Sequence, residues 1–522
     1  MTSGMRPYLV AALLLTGLAA DARADFVVYD LGVLGKAMST LAGMQNKALD
    51  LDGDTKIMLP GTTQVQPGGK LSYTHPNGAT VHFNLEDVKR IKAPTNKEEF
   101  NKRLNAAGND PEALMKVGVW GLKKGLLDDG LYKAVDKVLK IEPTHDAALK
   151  VRALRKTMKE PLPEDRETKD AEEKKFNALV KRPGMRFERS RHFILMTDTP
   201  EKRGSDKKKS RAQQRLDLME KVYESFLLLF HAQDVPLDIP RERMMVVLFN
   251  TEEDFKEFAA AISPGLGSAA GFWEQIRNVS YFYDWGTNEI FKALDQVMKQ
   301  LRVQMQDAKK NRDPNFINYV KVLELLMDVE RENSDIVVVS HECTHQMAGN
   351  TGLFPRHVDT PSWIHEGLAT YFENPSDGTW AGIGAVGGRR LQSYRDLSTR
   401  DRVHSNMNFI IRDEIFDLAA NSATREFAYG QAWALTHFMI ETHLKEFVAY
   451  YRILGDLPPD VKLNPDLLQS LFANVFGSDI VALDGEWRQY MNKLKTEIEK
   501  LGDADSLPRQ SRASGRGSAP DY

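Results

Sequence analysis

Ile336-Val337-Val338-Val339-Ser340-His341-Glu342-Cys343-Thr344-His345 is the stretch on which the reading of this chain turns. A valine-rich run leading into H-E-x-x-H suits a buried helix. The i, i+4 spacing sets His341 and His345 on one face a single turn apart, so two neutral ring nitrogens can converge on one Zn²⁺ at about 2.0–2.1 Å. Glu342 then falls beside the metal's open position, where a general base for a bound water must sit. Cys343 is about 200° around the helix from His341 and should point into the core. With 12 histidines in 522 residues, chance would supply the pattern about 0.02 times. Burying those three polar side chains on an apolar helix without a common partner would also be costly.

Two histidines leave a third protein ligand to find. The longer pattern H-E-x-x-H-x-x-G-x-x-H is excluded, because Ala348 and Thr351 stand where Gly and His would be needed. Downstream, Pro361-Ser362-Trp363-Ile364-His365-Glu366-Gly367-Leu368-Ala369-Thr370-Tyr371-Phe372-Glu373 reads as a second helix, with Ser362 as its N-cap. Glu366 lies 21 positions after His345, enough for one helix to end near Gly349 and the chain to return antiparallel. Ala369 is small enough for the two helices to approach closely. His365 and His357 compete with Glu366 for the third position; adjacent helical residues differ by about 100°, so only one of His365 and Glu366 can face the metal.

The combination of His341-Glu342-Cys343-Thr344-His345-Gln346, Pro361-x-Trp363 and Glu366-Gly367-Leu368-Ala369-x-Tyr371-Phe372-Glu373 resembles the gluzincin peptidases, the thermolysin-like and aminopeptidase N-like enzymes, and within them a poorly characterised family of exported bacterial zinc peptidases. The resemblance is specific over Asp335 to Glu373 and looser over about residues 190–495. It implies a zincin fold, with a small twisted sheet above the motif helix and a helical subdomain below. It also implies His341, His345 and Glu366 as zinc ligands and Glu342 as base. Ala428-Tyr429-Gly430-Gln431-Ala432-Trp433 is similar to the aminopeptidase N-like segment that offers a phenol to the oxyanion, although the family's Lys-Gly after the tyrosine is absent. Tyr429 is therefore the expected second electrophile. Tyr371, five positions from Glu366, should be turned about 140° away toward the core. Gly271-Phe272-Trp273-Glu274-Gln275 superficially resembles the Gly-x-Met-Glu-Asn amine-binding motif but departs at Met and Asn; Glu274 reads instead as a strand or turn residue near the cleft.

Outward from the motif, the chain reads as α+β. His192 to Thr197, Met244 to Phe249 and Asn278 to Tyr283 have the length and composition of buried strands, with Ala212 to His231 helical between the first two. Asn278 to Tyr283 is expected to be the sheet edge that takes extended substrate. Residues 288–332 read as long amphipathic helices, and residues from Asp335 to about Leu494 as mainly helical apart from a Gly-rich loop between Asn374 and Arg389. Upstream, Lys70 to Thr74 and Thr80 to Leu85 alternate around the turn His75-Pro76-Asn77-Gly78, which suggests a small β-rich module over 25–95. Residues 96–155 carry a helical period resembling one tetratricopeptide-type hairpin, and 156–188, assigned as a charged linker, suit a solvated linker or an exposed helix. The zincin-like domain is assigned to 189–501, and 502–522, which lacks apolar period, to a disordered tail.

Residues 1–24 read as a signal peptide: Arg6, the apolar run Leu9 to Ala20, then Ala22-Arg23-Ala24. That run is short of the roughly 20 residues needed to span a bilayer, so no stable membrane span is expected after cleavage, and the protein should be exported. The 70 basic and 73 acidic residues, a net charge of −3, leave no global basic field for nucleic acid. One cysteine cannot form an intramolecular disulfide. Two functions compete: a zinc-dependent peptidase acting on peptides or proteins, and a non-catalytic exported binding or scaffolding protein with a structural or vestigial zinc site. Glu342 favours the first, since a purely structural site needs no base.

Overall fold

The computed structural model describes residues 24–30, 56–201, 209–310, 313–419 and 422–506. The signal peptide, apart from Ala24, and the tail beyond Ser506 lie outside the described residues. The first five strands are β1 (Ala24–Asp30), β2 (Lys56–Gln66), β3 (Lys70–Thr74), β4 (Thr80–Asn84) and β5 (Val88–Ala93). They form an antiparallel sheet in the order β4-β3-β2-β1-β5. The turn at His75-Pro76-Asn77-Gly78 closes β3 onto β4 through a 2.9 Å bond from the Gly78 N–H to the His75 carbonyl, with Gly78 at φ +92°. Alternation along these strands turns Leu71, Tyr73, Val81 and Phe83 inward, where they pack on Leu294 and Met298 of helix Glu289–Lys310 and on Leu323 and Leu326 of the next helix.

Four helices follow, Asn96–Ala106, Pro111–Lys123, Lys133–Ile141 and Asp146–Met158, so the region expected to be one hairpin holds two further helices. The charged segment 156–188 takes the helical alternative over much of its length. Helix Arg166–Val180 buries Phe176 and Val180, and β6 (Arg186–Arg189) joins the second sheet before residue 189. That sheet continues with β7 (Phe193–Thr197), β8 (Met244–Phe249), β9 (Gly271–Glu274) and β10 (Val279–Tyr283), in the order β6-β7-β8-β10-β9. β7, β8 and β10 are parallel neighbours and buried throughout, which is why they read as unbroken apolar runs.

The expected edge strand is therefore interior. The turn after β9, with Asn278 at φ +59° and its N–H 2.8 Å from the Glu274 carbonyl, folds β9 and β10 antiparallel, and β9 occupies the edge instead. One face of this sheet packs on helices Arg166–Val180 and Glu252–Ile262; the other, through Leu195, Val246, Leu248 and Phe282, joins the core containing helix Arg211–His231 and Val339 and Cys343 of the motif helix.

The motif helix runs unbroken from Pro314 to Asn350, 37 residues, and starts where Asp313 caps the N–H groups of Asn315 and Phe316 with Pro314 in its first turn. Its first half supports the N-terminal sheet and its second half the second sheet. Gln346 pins it there, donating to the carbonyls of Met245 (3.0 Å) and Asn278 (3.2 Å). The described residues between 362 and 506 are mainly helical apart from the segment between Phe372 and Gly388, which holds a two-stranded ribbon of Pro375–Ser376 and Thr379–Trp380, and the last helix, Glu497–Ser506, extends into the segment expected to be a tail. Among the described residues no helix is long and apolar enough to cross a membrane.

Candidate metal centre

Helix Ser362–Phe372 is returned to the motif helix by the segment after Thr351, whose Gly352 sits at φ +69°. Its N-cap position is Pro361, and Ser362 is already helical. The capping role expected of Ser362 falls to Asp413, whose carboxylate accepts the N–H groups of Ser362 (2.7 Å) and Trp363 (2.8 Å). Gly367 lets helix Ser422–Thr442 approach closely, because a Cβ there would stand 2.1 Å from Thr436 Oγ1.

These placements bring three donors together. Glu366 Oε2 is 3.1 Å from His341 Nε2 and 3.8 Å from His345 Nε2, and one ligand atom from each residue lies within 4.8 Å of the others. Two imidazole nitrogens and one carboxylate oxygen within this reach of one another are donor types that can coordinate Zn²⁺. His365 instead stacks on the ring of His345 at 3.9 Å and 10°. Burial and the neighbouring His345 press its pKa down to about 3, so it is neutral. His357 is exposed on the connecting loop.

His341 is held from both sides, since its Nδ1 is 2.8 Å from Glu373 Oε2. A carboxylate at Nδ1 fixes the orientation of the ring and leaves Nε2 facing Glu366. Burial opposes the charged ring, yet the hydrogen bonds it donates to Glu366 and Glu373 outweigh it and raise its pKa to about 10 in the metal-free protein. Glu373 is itself held down to about 2: burial works against its charge, and Arg390 and His341 overcome it. Neither Glu373 nor Arg390 was singled out from the sequence. The available signal was helical phase, since Glu373 follows Glu366 by seven residues, two turns along the same face.

Glu342 is 6% exposed and its carboxyl lies above the usual range because it is buried, against the pull of His341 and His345. The Gly271–Glu274 strand is laid directly on the motif helix, where a Cβ on Gly271 would stand 3.1 Å from Glu342 Cγ. Glu274 closes the following turn, accepting the Arg277 N–H at 2.9 Å.

Tyr429 also reaches the site. Its ring centroid is 6.4 Å from that of His341, and Glu366 lies close enough to act on its hydroxyl electrostatically. Burial, then the nearby Glu366, raises the phenol well above its ordinary pKa, so it stays protonated. Tyr371 points away and donates to Glu441 Oε1 at 2.5 Å, and Cys343 is buried with Sγ 3.8 Å from the Met219 carbonyl. Beside His365 opens a cavity of about 540 Å³ lined in part by Gln275, Pro361, Arg412 and Leu463.

Residues 335–460 match the model of a family described as a protein of unknown function, DUF1570, so the chain carries a DUF1570 domain there. That span contains His341, Glu342, His345, Glu366, Glu373, Arg390 and Tyr429. No curated protein and no solved structure matches the chain.

Proposed function

We propose that this chain is an exported, gluzincin-type zinc peptidase that hydrolyses peptide bonds, with His341, His345 and Glu366 holding the ion. The observation that carries the reading is the convergence of those three donors beside a buried glutamate, Glu342, on the same helical turn. The small sheet above the motif helix and the helices below it support the zincin-like reading of the fold.

A bound zinc would supply a Lewis acid that polarises a carbonyl and acidifies water. Glu342 takes the proton of the attacking water at its carboxylate and delivers it to the leaving amine. Its raised pKa suits both steps. Tyr429, still protonated, donates a hydrogen bond to the developing oxyanion. Glu373 keeps His341 in the productive tautomer. The free edge of β9 lies against Glu342, which supports a substrate bound in extended form by backbone hydrogen bonds.

The test is digestion of a peptide library by the mature chain with and without chelator, beside Glu342→Gln. Cleavage should stop with chelator and return with zinc. Glu342→Gln should keep the fold and about one Zn²⁺ while losing turnover, because the amide cannot accept the proton. Zinc binding without cleavage of any library peptide or denatured protein by the wild type would favour the non-catalytic binding protein instead.

A further inference from the structure

Arg390, on helix Gly388–Arg400, is 8% exposed and has no part in the chemistry above. Its guanidinium nonetheless joins several elements of the site. Nε donates to Glu373 Oε1 at 2.8 Å and Nη1 to Glu426 Oε1 at 3.0 Å, while Cζ stands 5.2 Å from the centroid of the Tyr429 ring. Glu426 is gripped from its other side by Arg389, whose Nε and Nη2 donate at 3.0 and 2.8 Å. The scaffold around this fork is close-packed. Ser393 Oγ donates to the Glu426 carbonyl at 2.9 Å, and Gly430 leaves no room for a side chain, since a Cβ would meet Ser393 Oγ at 2.7 Å.

The two oxygens of Glu373 are thus divided: one receives Arg390, the other faces His341 Nδ1. A carboxylate bound at one oxygen alone can swing about its last torsion; bound at both, it has one orientation, and so has the imidazole attached to it. Arg390 is anchored in turn by Glu426, which belongs to the same helix as Tyr429.

We propose that Arg390 is a positioning residue of the metal centre, acting through Glu373 to fix the orientation of His341. The inference rests on the zinc-site part of the reading above, and not on peptide cleavage. A buried ion pair that served the fold alone would tolerate replacement by an apolar side chain of similar length without consequence for the metal.

The experiment uses the full mature chain and two metals. Zn²⁺ affinity is measured by competition with a chelator, and Co²⁺-loaded protein is examined by visible absorption, which reports the ligand field. Arg390→Met should weaken Zn²⁺ about 10–100-fold, the usual effect of losing an outer-sphere partner, and alter the Co²⁺ spectrum. Arg390→Lys, which retains a charge, should recover part of the affinity. Because the effect runs through Glu373, Glu373→Gln with Arg390→Met should bind no more weakly than Glu373→Gln alone. Arg389→Met removes a neighbouring partner of Glu426 without touching Glu373 and should stay within about threefold of wild type.

Wild-type Zn²⁺ affinity and Co²⁺ spectrum in Arg390→Met would overturn the proposal. So would additive losses in the double variant, or equal losses in Arg389→Met and Arg390→Met, which would mark a general loosening of the helix pair. Should Arg390→Met fail to fold, Arg390→Lys and the Glu373→Gln background carry the same comparison. Failure of the wild type to cleave peptides would sink the peptidase reading and leave these metal measurements decisive for Arg390.

Discussion

Gly271 and Glu342 are in contact across the boundary between the sheet edge and the motif helix: a Cβ at Gly271 would stand 3.1 Å from Glu342 Cγ and 2.8 Å from Val338 Cγ1. The backbone of β9 can lie on the helix because this residue has no side chain. The same close approach places the Trp273 backbone beside the Glu342 carboxylate.

Gly271→Ala should therefore push β9 off the helix. Overpacking of this kind costs about 1–3 kcal/mol, to be read from urea unfolding. Peptide turnover should fall with zinc content unchanged, because none of the three metal donors touches Gly271. Unaltered stability and turnover would mean that the strand accommodates the methyl group without moving.

Tyr429→Phe should lower kcat about 10²–10³-fold, the range for one oxyanion donor, and leave zinc stoichiometry at the wild-type value. Steady-state kinetics on a substrate with a rate-limiting chemical step is the appropriate measurement. Equal kcat in the two proteins would remove the phenol from the mechanism.

His341→Ala, His345→Ala and Glu366→Ala should each abolish stoichiometric zinc binding, since two protein donors fall short of a catalytic zinc site. Elemental analysis after gel filtration reads this directly. Full occupancy in Glu366→Ala would pass the third position to another residue, with His365 the nearest imidazole through its stack on His345.

His75, in the β3–β4 turn, ties the N-terminal sheet to Asp377, four residues beyond Glu373, with Nε2 3.0 Å from Asp377 Oδ1. Burial disfavours the charged ring, but the hydrogen bond and charge of Asp377 prevail and raise its pKa above 6.5. A raised histidine pKa contributes stability that is fully present below the unfolded value and lost as pH climbs through the folded one. Asp377→Asn should thus cost about 1–3 kcal/mol near pH 6 and distinctly less near pH 9. Paired unfolding curves at the two pH values check it, and a deficit that grows with pH would contradict the assignment.

The local sequence carried much of this protein. An i, i+4 pair of histidines must share a helical face whatever surrounds it, and unbroken apolar runs at Phe193–Thr197 and Met244–Phe249 had to be buried strands. Tyr371 and Cys343 were placed in the core by helical phase alone, and the Asn77-Gly78 turn by the backbone freedom of Gly78. What was not legible depended on segments distant in the chain. Whether β9 or β10 forms the edge is decided by which strand finds β8, a comparison of pairings that no window of sequence contains. The cap on helix Ser362–Phe372 comes from Asp413, some 50 residues away, because Pro361 carries no side-chain acceptor and the exposed N–H groups take whichever carboxylate the fold delivers. Glu373 and Arg390 acquire their roles in the same way: a buried charge is tolerable only beside its partners, and those partners are brought together by tertiary packing.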